Sequence, residues 1–184
     1  MSRAAHVDSQ ELGLLIGREL AGVDDLHFGL WDDLEPTLAN LSRAQQRYTD
    51  FLIAHLPASR PDAPLRILDV GCGTGSVLVQ LRTHGFRVDG VSPSTLFNEC
   101  IRRRLAETNN SDIELFECRF EDLPVEKLAG RYDIVLLVES YQYILMENAF
   151  YNARKLLKPG GRLVIFDYFR TPVAGDGGPD DGLF

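Results

Sequence analysis

A glycine-rich stretch, Gly71-Cys72-Gly73-Thr74-Gly75, has the residue types and spacing that point most directly to chemistry in this sequence. It follows an apolar run over residues 66–70 and precedes a segment of helical character, so we expect it to connect a strand to a helix. Glycines at such a turn let a ligand approach the backbone, and the start of the helix offers free N–H groups to an anion. The stretch predicts a nucleotide-like ligand, and a tight turn without a ligand is the alternative.

The glycine spacing narrows the choice of nucleotide. Dinucleotide sites use G-x-G-x-x-G with an acid about 20 residues later, whereas this turn reads G-x-G-x-G and the next predicted strand ends in Ser92. No Gly-Lys-Ser or Gly-Lys-Thr sequence is present, which excludes a P-loop. The turn therefore disfavours an NAD-dependent oxidoreductase.

Strands and helices are predicted to alternate on both sides of this turn. Such alternation is typical of an α/β fold with a doubly wound, mostly parallel sheet. Pro159-Gly160-Gly161 is expected to end the last helix. The predicted strands are residues 66–70, 87–92, 113–118, 132–139 and 162–169, and the helices between them are residues 76–81, 96–107 and 148–158.

The rest of the chain divides around this core. Two helices are predicted over residues 9–20 and 36–56, with an aromatic turn at 26–33 between them. Three prolines over residues 57–64 indicate a loop. We therefore expect three parts: an N-terminal helical part that caps the core (1–60), a Rossmann-like core (61–170) and a Gly/Pro/Asp-rich tail (171–184).

Composition limits the classes of function. The chain has 184 residues, 45% of them hydrophobic and 25% charged, and a net charge of −8, which is typical of a soluble globular protein and disfavours nucleic acid as a partner. The sequence carries neither a signal-peptide pattern nor an apolar run long enough to span a membrane. Cys72, Cys100 and Cys118 lack metal-ligand spacing, so we expect free thiols, no metal, no membrane contact and a cytoplasmic location.

Five segments, in this order, are similar to the motifs of class I S-adenosylmethionine-dependent methyltransferases of the small-molecule type. The resemblance implies a Rossmann-like core that binds S-adenosylmethionine, with five of the usual seven strands visible. The aromatic segment HFGLW and the helix after it resemble the part of such enzymes that covers the cofactor. The five segments are ILDVGCGTG (67–75), VDGVSPS (88–94), FEDLP (120–124), YDIVLLVES (132–140) and LLKPGGRLVIFD (156–167).

The resemblance also implies which residues bind the cofactor. Asp69, Gly71, Cys72 and Gly73 would meet the methionyl part, with Asp69 near the ammonium group. Val138 and Glu139 belong to the motif of the fourth strand. Two departures from the family pattern affect the ribose and adenine contacts. Ser92, followed by Pro93 and Ser94, replaces the usual ribose-binding acid, and Arg119 replaces an adenine-binding carboxylate, which leaves Phe120 and Glu121 as the adenine candidates.

Methyl transfer from a sulfonium is an in-line displacement, so the protein mainly aligns the acceptor, excludes water and removes a proton. His27 lies in the aromatic segment expected over the methyl group and is the candidate base. Tyr143 stands where many relatives have a histidine and could orient an acceptor hydroxyl. The alternative for each residue is a structural role: His27 as a packed histidine and Tyr143 as part of ordinary helix packing.

The acceptor is inferred by elimination. ESYQ follows the fourth strand, where enzymes that methylate amino groups of nucleic acids have an Asn/Asp-Pro-Pro-aromatic set. The Pro-Cys pair that cytosine-C5 methyltransferases need is also missing, because no proline is directly followed by a cysteine. The sequence therefore favours O- or N-methylation of a small molecule. The alternative is a cofactor-binding or interaction module without turnover, completed by another chain. Because no sixth or seventh strand is visible, the fifth is expected to be an edge that self-associates or pairs with a partner.

Overall fold

A computed structural model describes residues 9–169 of the chain, except residues 24, 109 and 111. The predicted tail (171–184) lies outside the described residues. Five helices and five strands are present in the described part. They are α1 (Ser9–Ala21), α2 (Leu38–His55), β1 (Arg66–Val70), α3 (Ser76–Thr83), β2 (Arg87–Val91), α4 (Thr95–Glu107), β3 (Leu115–Phe116), β4 (Tyr132–Val138), α5 (Met146–Leu156) and β5 (Leu157–Phe166).

The strands form one sheet in the order β3-β2-β1-β4-β5, and every neighbouring pair is parallel. This confirms the predicted α/β fold. β1 and β4 alternate their apolar residues between two core clusters. Ile67 and Ile134 face the cluster that contains α3 and α4, while Leu68 and Val135 face the cluster that contains α5. Both faces of the sheet are therefore covered, as a parallel sheet requires.

The last helix and strand differ from the sequence prediction. α5 ends at Leu156 and β5 begins at Leu157, so Pro159-Gly160-Gly161 lies inside the strand rather than in a turn before it. The pairing with β4 jumps from Tyr132–Leu157 to Ile134–Arg162, because the Pro-Gly-Gly segment bulges out. Gly160 has a positive φ of 80°, which glycine adopts readily. The strand ends at Phe166, three residues before the predicted end at Phe169.

The third strand is shorter than predicted: only Leu115 and Phe116 pair with β2. The backbone N–H of Glu114 donates to the Asp89 carboxylate at 3.2 Å, so a side chain replaces a ladder partner there. Other boundaries move by one or two residues: α2 begins at Leu38 rather than residue 36, and α3 extends to Thr83. None of the helices in the described ranges is both long and apolar enough to cross a membrane.

Candidate functional site

The turn after β1 is built from glycines in the left-handed region of φ. Gly71, Gly73 and Gly75 have φ values of 74°, 52° and 83°. The N–H groups of Gly71 and Cys72 donate to the carbonyl of Val91 at 2.9 and 3.2 Å, which fixes the turn against the end of β2. The turn is thus held mainly by backbone bonds.

The three glycines differ in the space around them. A Cβ on Gly71 would lie 2.5 Å from the Cβ of Ser140, and one on Gly75 would lie 3.1 Å from Ile101, whereas nothing lies within 4 Å of a Cβ on Gly73. Gly71 therefore permits close packing against the segment after β4. Gly73 faces open space beside the start of α3, where a ligand can approach the backbone.

Asp69 lies in β1 directly before this turn and is 1% exposed. Its Oδ2 atom is buried and has no hydrogen-bond partner among the described residues. Burial raises the pKa of this carboxyl to about 7. A buried carboxylate oxygen without a partner is costly, and a cation placed beside Oδ2 would lower that cost.

The end of β2 has no acid. Ser92 is buried; its N–H donates to Phe116 at 3.0 Å and its carbonyl accepts from Asn98 at 3.2 Å. Ser94 caps α4 by accepting from the N–H of Phe97, and its hydroxyl donates to Glu11 Oε1 at 2.7 Å. Pro93 between them is exposed. The sequence did not predict that Glu11 of α1 would bring a carboxylate to this edge.

The one acidic residue of β2, Asp89, serves a different purpose. It is the middle residue of the strand, and its carboxylate accepts from Arg66 and from the Tyr132 hydroxyl, the first residues of β1 and β4, at 2.9 Å each. Arg131 lies 3.4 Å away. The Asp89 carboxylate is therefore paired with arginines near the starts of β1 and β4, away from the carboxyl ends of the strands where the candidate site lies.

The loop after β3 forms a 3-10 turn over Phe120–Asp122. Phe120 is buried, and its carbonyl accepts from the Asn152 side chain at 2.7 Å. The Glu121 side chain is 19% exposed and lies 3.7 Å from Arg119 Nε, whereas the Arg119 side chain is 64% exposed. Of the two charged residues, Glu121 is therefore the one that is mostly shielded from solvent.

The end of β4 receives the N-terminal part of the chain. Val138 ends the strand, and Glu139 follows it with a φ of 49°, which is uncommon for a residue with a side chain. Both oxygens of Glu139 accept from the N–H of Phe28 at 3.0 Å. Burial raises the pKa of the Glu139 carboxyl, and the interactions with Phe28 and Tyr48 oppose that rise.

Residues 25–31, which we call the cap segment, lie along α2. A Cβ on Gly29 would lie 2.4 Å from the Cβ of Ala44, so glycine allows the two backbones to touch, and Leu30 N–H donates to the Ala44 carbonyl at 2.9 Å. The buried Gln45 side chain donates to the carbonyls of Asp25 and His27 at 3.1 and 2.8 Å. The cap segment and α2 are thus joined along their length.

The two catalytic candidates have different environments. His27 Nε2 lies 3.2 Å from the Gln45 carbonyl and 3.4 Å from the Thr49 hydroxyl, and the carbonyl contact favours the tautomer with the hydrogen on Nε2. Nδ1 is then the ring nitrogen that can accept a proton. Tyr143 lies in a 3-10 turn over Tyr141–Tyr143 and is 57% exposed. The roles assigned to both residues stay predictions.

Comparison with known proteins identifies the family. Residues 67–161 match the methyltransferase domain family. The chain belongs to the class I S-adenosylmethionine-dependent methyltransferases. A curated relative, 27-O-demethylrifamycin SV methyltransferase of Amycolatopsis mediterranei, is 32% identical over 152 residues, which is 81% of this chain and 53% of the relative.

A solved methyltransferase structure shares the fold. Geranyl diphosphate C-methyltransferase of Streptomyces coelicolor, crystallised with S-adenosyl-L-homocysteine, is 26% identical with a TM-score of 0.66, covering 89% of this chain and 66% of that one. The S-adenosyl-L-methionine-dependent Diels-Alderase iccD of Talaromyces variabilis is 30% identical over 180 residues, which is 92% of this chain and 57% of the relative. The chain therefore spans between about half and two thirds of the length of these relatives.

The residues at the carboxyl edge of the sheet fit the cofactor of this family. The orphaned Oδ2 of Asp69 suits an ammonium group, and the open side of Gly73 suits a backbone contact. The fold brings the β1 turn, Ser92, the Phe120 loop and Glu139 to this edge, because parallel strands all end on the same side. Among the described residues, no group of three or more His, Cys, Asp and Glu side chains is placed to hold a metal ion.

Cys72 lies inside the turn but is turned inward. Its thiol is buried, lies 3.5 Å from the Val91 carbonyl, and has its pKa raised by burial. The predicted cofactor contact of Cys72 would therefore involve its backbone. Sequence reasoning missed two contacts that join the cap segment to this edge: Phe28 with Glu139, and Asp25 with Thr74. Both connect residues far apart in the chain, so no local pattern could indicate them.

Proposed function

We propose that this chain binds S-adenosylmethionine at the carboxyl edge of β1, β2 and β4 and methylates an oxygen or nitrogen atom of a small molecule. The observation that carries the proposal is the buried, unpartnered Oδ2 of Asp69 directly before a glycine turn whose Gly73 faces open space. The ammonium group of the cofactor's methionyl part would pair with Oδ2 of Asp69, and the rest of that part would fit the open space beside Gly73.

Each part of the cofactor has candidate residues. Asp69 would hold the ammonium, and the turn from Gly71 to Gly75 would take the methionyl backbone. Ser92 and Ser94 are candidates for the ribose, and Phe120 with Glu121 for the adenine. When bound, the cofactor would supply a methyl group attached to a positively charged sulfur. That sulfur becomes a neutral thioether once the methyl group is transferred.

The protein's own part in the chemistry is to exclude water, align the acceptor and take its proton. The cap segment would cover the reacting atoms, with Phe28 and Trp31 as aromatic shelter for the sulfonium. Nδ1 of His27 is the candidate proton acceptor, since Nε2 is engaged with the Gln45 carbonyl and the Thr49 hydroxyl. Tyr143 would orient the acceptor from the other side.

A small-molecule acceptor is supported by charge and by relatives. The net charge of −8 opposes binding to nucleic acid. A rifamycin methyltransferase and an O-methyltransferase of Pyrenophora dematioidea are among the similar curated proteins. The three cysteines are thiols, which supports our further proposal of a cytoplasmic location.

A second candidate function is cofactor binding without methyl transfer. It is favoured by the resemblance to a protein named as a Diels-Alderase. The apolar residues of β5 are only partly buried, and no strand pairs with its outer edge within residues 9–169. We propose that this edge pairs with a second copy or a partner chain. Light scattering at micromolar concentration should detect association, and a monomer that persists on dilution would contradict it.

Calorimetric titration tests the proposed cofactor. The chain should bind S-adenosylmethionine and S-adenosylhomocysteine but not NAD. Gly73→Val should abolish binding, because its side chain fills the space that the ligand needs, while far-UV circular dichroism stays similar. Gly130→Val is the matched control, since Gly130 also has a positive φ, 64°, and open space around it. Binding by Gly73→Val equal to that of the parent would show that the site lies elsewhere.

A further inference from the structure

Two carboxylate contacts join the cap segment to the core, and each side supplies one of the carboxylates. The Glu139 carboxylate, from the core, accepts the N–H of Phe28 with both oxygens at 3.0 Å. The Asp25 carboxylate, from the cap segment, accepts the hydroxyl of Thr74 in the β1 turn at 3.1 Å. These two contacts lie beyond the carboxyl ends of β4 and β1, and the second is made within the candidate methionyl turn itself.

Apolar packing does little to hold this part of the cap segment in place. The Phe28 and Leu26 side chains are 57% and 38% exposed. Phe28 makes an edge-to-face contact with Tyr168, with ring centroids 5.0 Å apart, at the surface. The remaining bonds of the segment go to Ala44, Gln45 and Thr49 of α2. That helix packs in the core through Leu52 and, at its C-cap, Leu56. The two carboxylates therefore make the direct hydrogen bonds between the segment and the ends of β1 and β4.

Glu139 adopts a costly conformation to make its contact. A φ of 49° is unfavourable for a residue with a Cβ, and Glu139 is half-buried. The charged and titratable groups that face it are His27 from the cap segment, Tyr48 from α2, and Asp167 and Tyr168 after β5. Strain of this kind persists where the surrounding structure gains from the position of the side chain.

We infer that Glu139 and Asp25 form a carboxylate clasp that holds the cap segment closed over the cofactor site and sets how fast the cofactor leaves. Glu139 and Asp25 are positioning residues in this inference. It rests on the proposed function only for the second half, the release of the cofactor. The first half, closure of the segment, is a property of the free protein.

The chain carries its own reporter for this movement. Trp31 is the only tryptophan and lies at the end of the cap segment. Its fluorescence in stopped flow should follow release of S-adenosylhomocysteine, and hydrogen exchange at the Phe28 amide should follow opening without any ligand. Glu139→Gln removes the charge of the clasp, and Glu139→Gly removes the carboxylate while relaxing the positive φ. Asp25→Asn weakens the second contact.

Loss of a hydrogen bond to a charged group should raise both Phe28 exchange and cofactor release about tenfold in Glu139→Gly, with a smaller rise in Glu139→Gln. In the double variant Glu139→Gly/Asp25→Asn, S-adenosylhomocysteine should leave faster than from either single variant. Thr74→Val removes the hydroxyl that Asp25 accepts and should raise exchange at Phe28 as Asp25→Asn does. Glu147→Gln, an exposed acid of α5, is the control and should change nothing.

The outcomes separate the two claims. Parent-like exchange at Phe28 in both Glu139 variants would overturn the clasp, whatever the ligand does. Faster exchange with unchanged release of S-adenosylhomocysteine would overturn its control of the cofactor. Failure of the parent protein to bind S-adenosylhomocysteine would overturn the proposed function and the release half of the inference, and the exchange data would still decide the closure half.

Discussion

The turn after β1 and the cap segment meet at the same edge of the sheet, but they are held in different ways. In the turn, glycines with positive φ and backbone bonds to Cys72 and Val91 set the shape. In the cap segment, side chains set the position: Gln45 from 18 residues away and Glu139 from 111 residues away. The turn is thus specified by neighbouring residues, whereas the cap segment depends on the rest of the fold.

The largest effect should come from adding a methyl group to the crowded glycine of the turn. Gly71→Ala combines a positive φ with a Cβ 2.5 Å from Ser140, so it should lower the free energy of unfolding by roughly 2–5 kcal/mol. Gly73→Ala has the φ cost alone, about 1–2 kcal/mol. Chemical denaturation of the pair measures the difference, and equal losses would show that close packing on Ser140 is unimportant.

Gly29 of the cap segment can be compared with Gly13 of α1. Gly29→Ala places a Cβ 2.4 Å from the Ala44 side chain and 2.7 Å from its backbone carbon, so it should displace the segment from α2 at a cost of roughly 1–3 kcal/mol. Trp31 emission should shift to longer wavelength. Gly13→Ala in α1 has only an ordinary contact at 3.7 Å and should stabilise slightly. An unshifted Trp31 spectrum in Gly29→Ala would contradict the close approach.

Replacing Asp69 should stabilise the ligand-free protein but weaken its binding of the ligand. Its carboxyl has a pKa of about 7 in the fold and about 4 when unfolded, so stability falls as pH rises between these values and stays low above them. Asp69→Asn should therefore raise the free energy of unfolding at pH 8, on the order of 1–3 kcal/mol. The same change should weaken binding of S-adenosylhomocysteine.

The pH dependence of binding checks this assignment. Below pH about 7 the Asp69 carboxyl takes up a proton and no longer attracts the ammonium, so affinity for S-adenosylhomocysteine should fall from pH 8 to pH 6. Calorimetry across this range should give a flat profile for Asp69→Asn. A parent affinity that does not change between pH 6 and pH 8 would mean that the ammonium is held by other groups.

The contrast between the two regions also explains how far the sequence could predict the structure. The apolar runs of β1 and β4 and the glycine turn are local patterns, and they predicted the sheet and the turn that joins β1 to α3. The Pro-Gly-Gly segment was misplaced because glycine and proline indicate a turn locally, while β4 offers β5 a ladder on either side of the bulge. The contacts of Glu11, Asp25 and Glu139 could not be predicted, because they depend on tertiary packing.

The smallest effect is expected at Ser92. If its hydroxyl takes the place of the usual ribose-binding acid, Ser92→Ala should weaken binding of S-adenosylhomocysteine by about one hydrogen bond, roughly 0.5–1.5 kcal/mol. Calorimetry on the parent and the variant measures this difference. An unchanged dissociation constant would indicate that the ribose is held elsewhere, and would make Glu11, which reaches Ser94, the next residue to test.

A crystal structure of the chain with S-adenosylhomocysteine tests the central claim most directly. The account predicts that the ligand lies at the carboxyl edge of β1 and β4, with its ammonium near Oδ2 of Asp69, its methionyl part beside Gly73, and the cap segment closed above it. A ligand bound away from the Gly71–Gly75 turn, or an ammonium far from Asp69 with that carboxylate still unpartnered, would contradict the account.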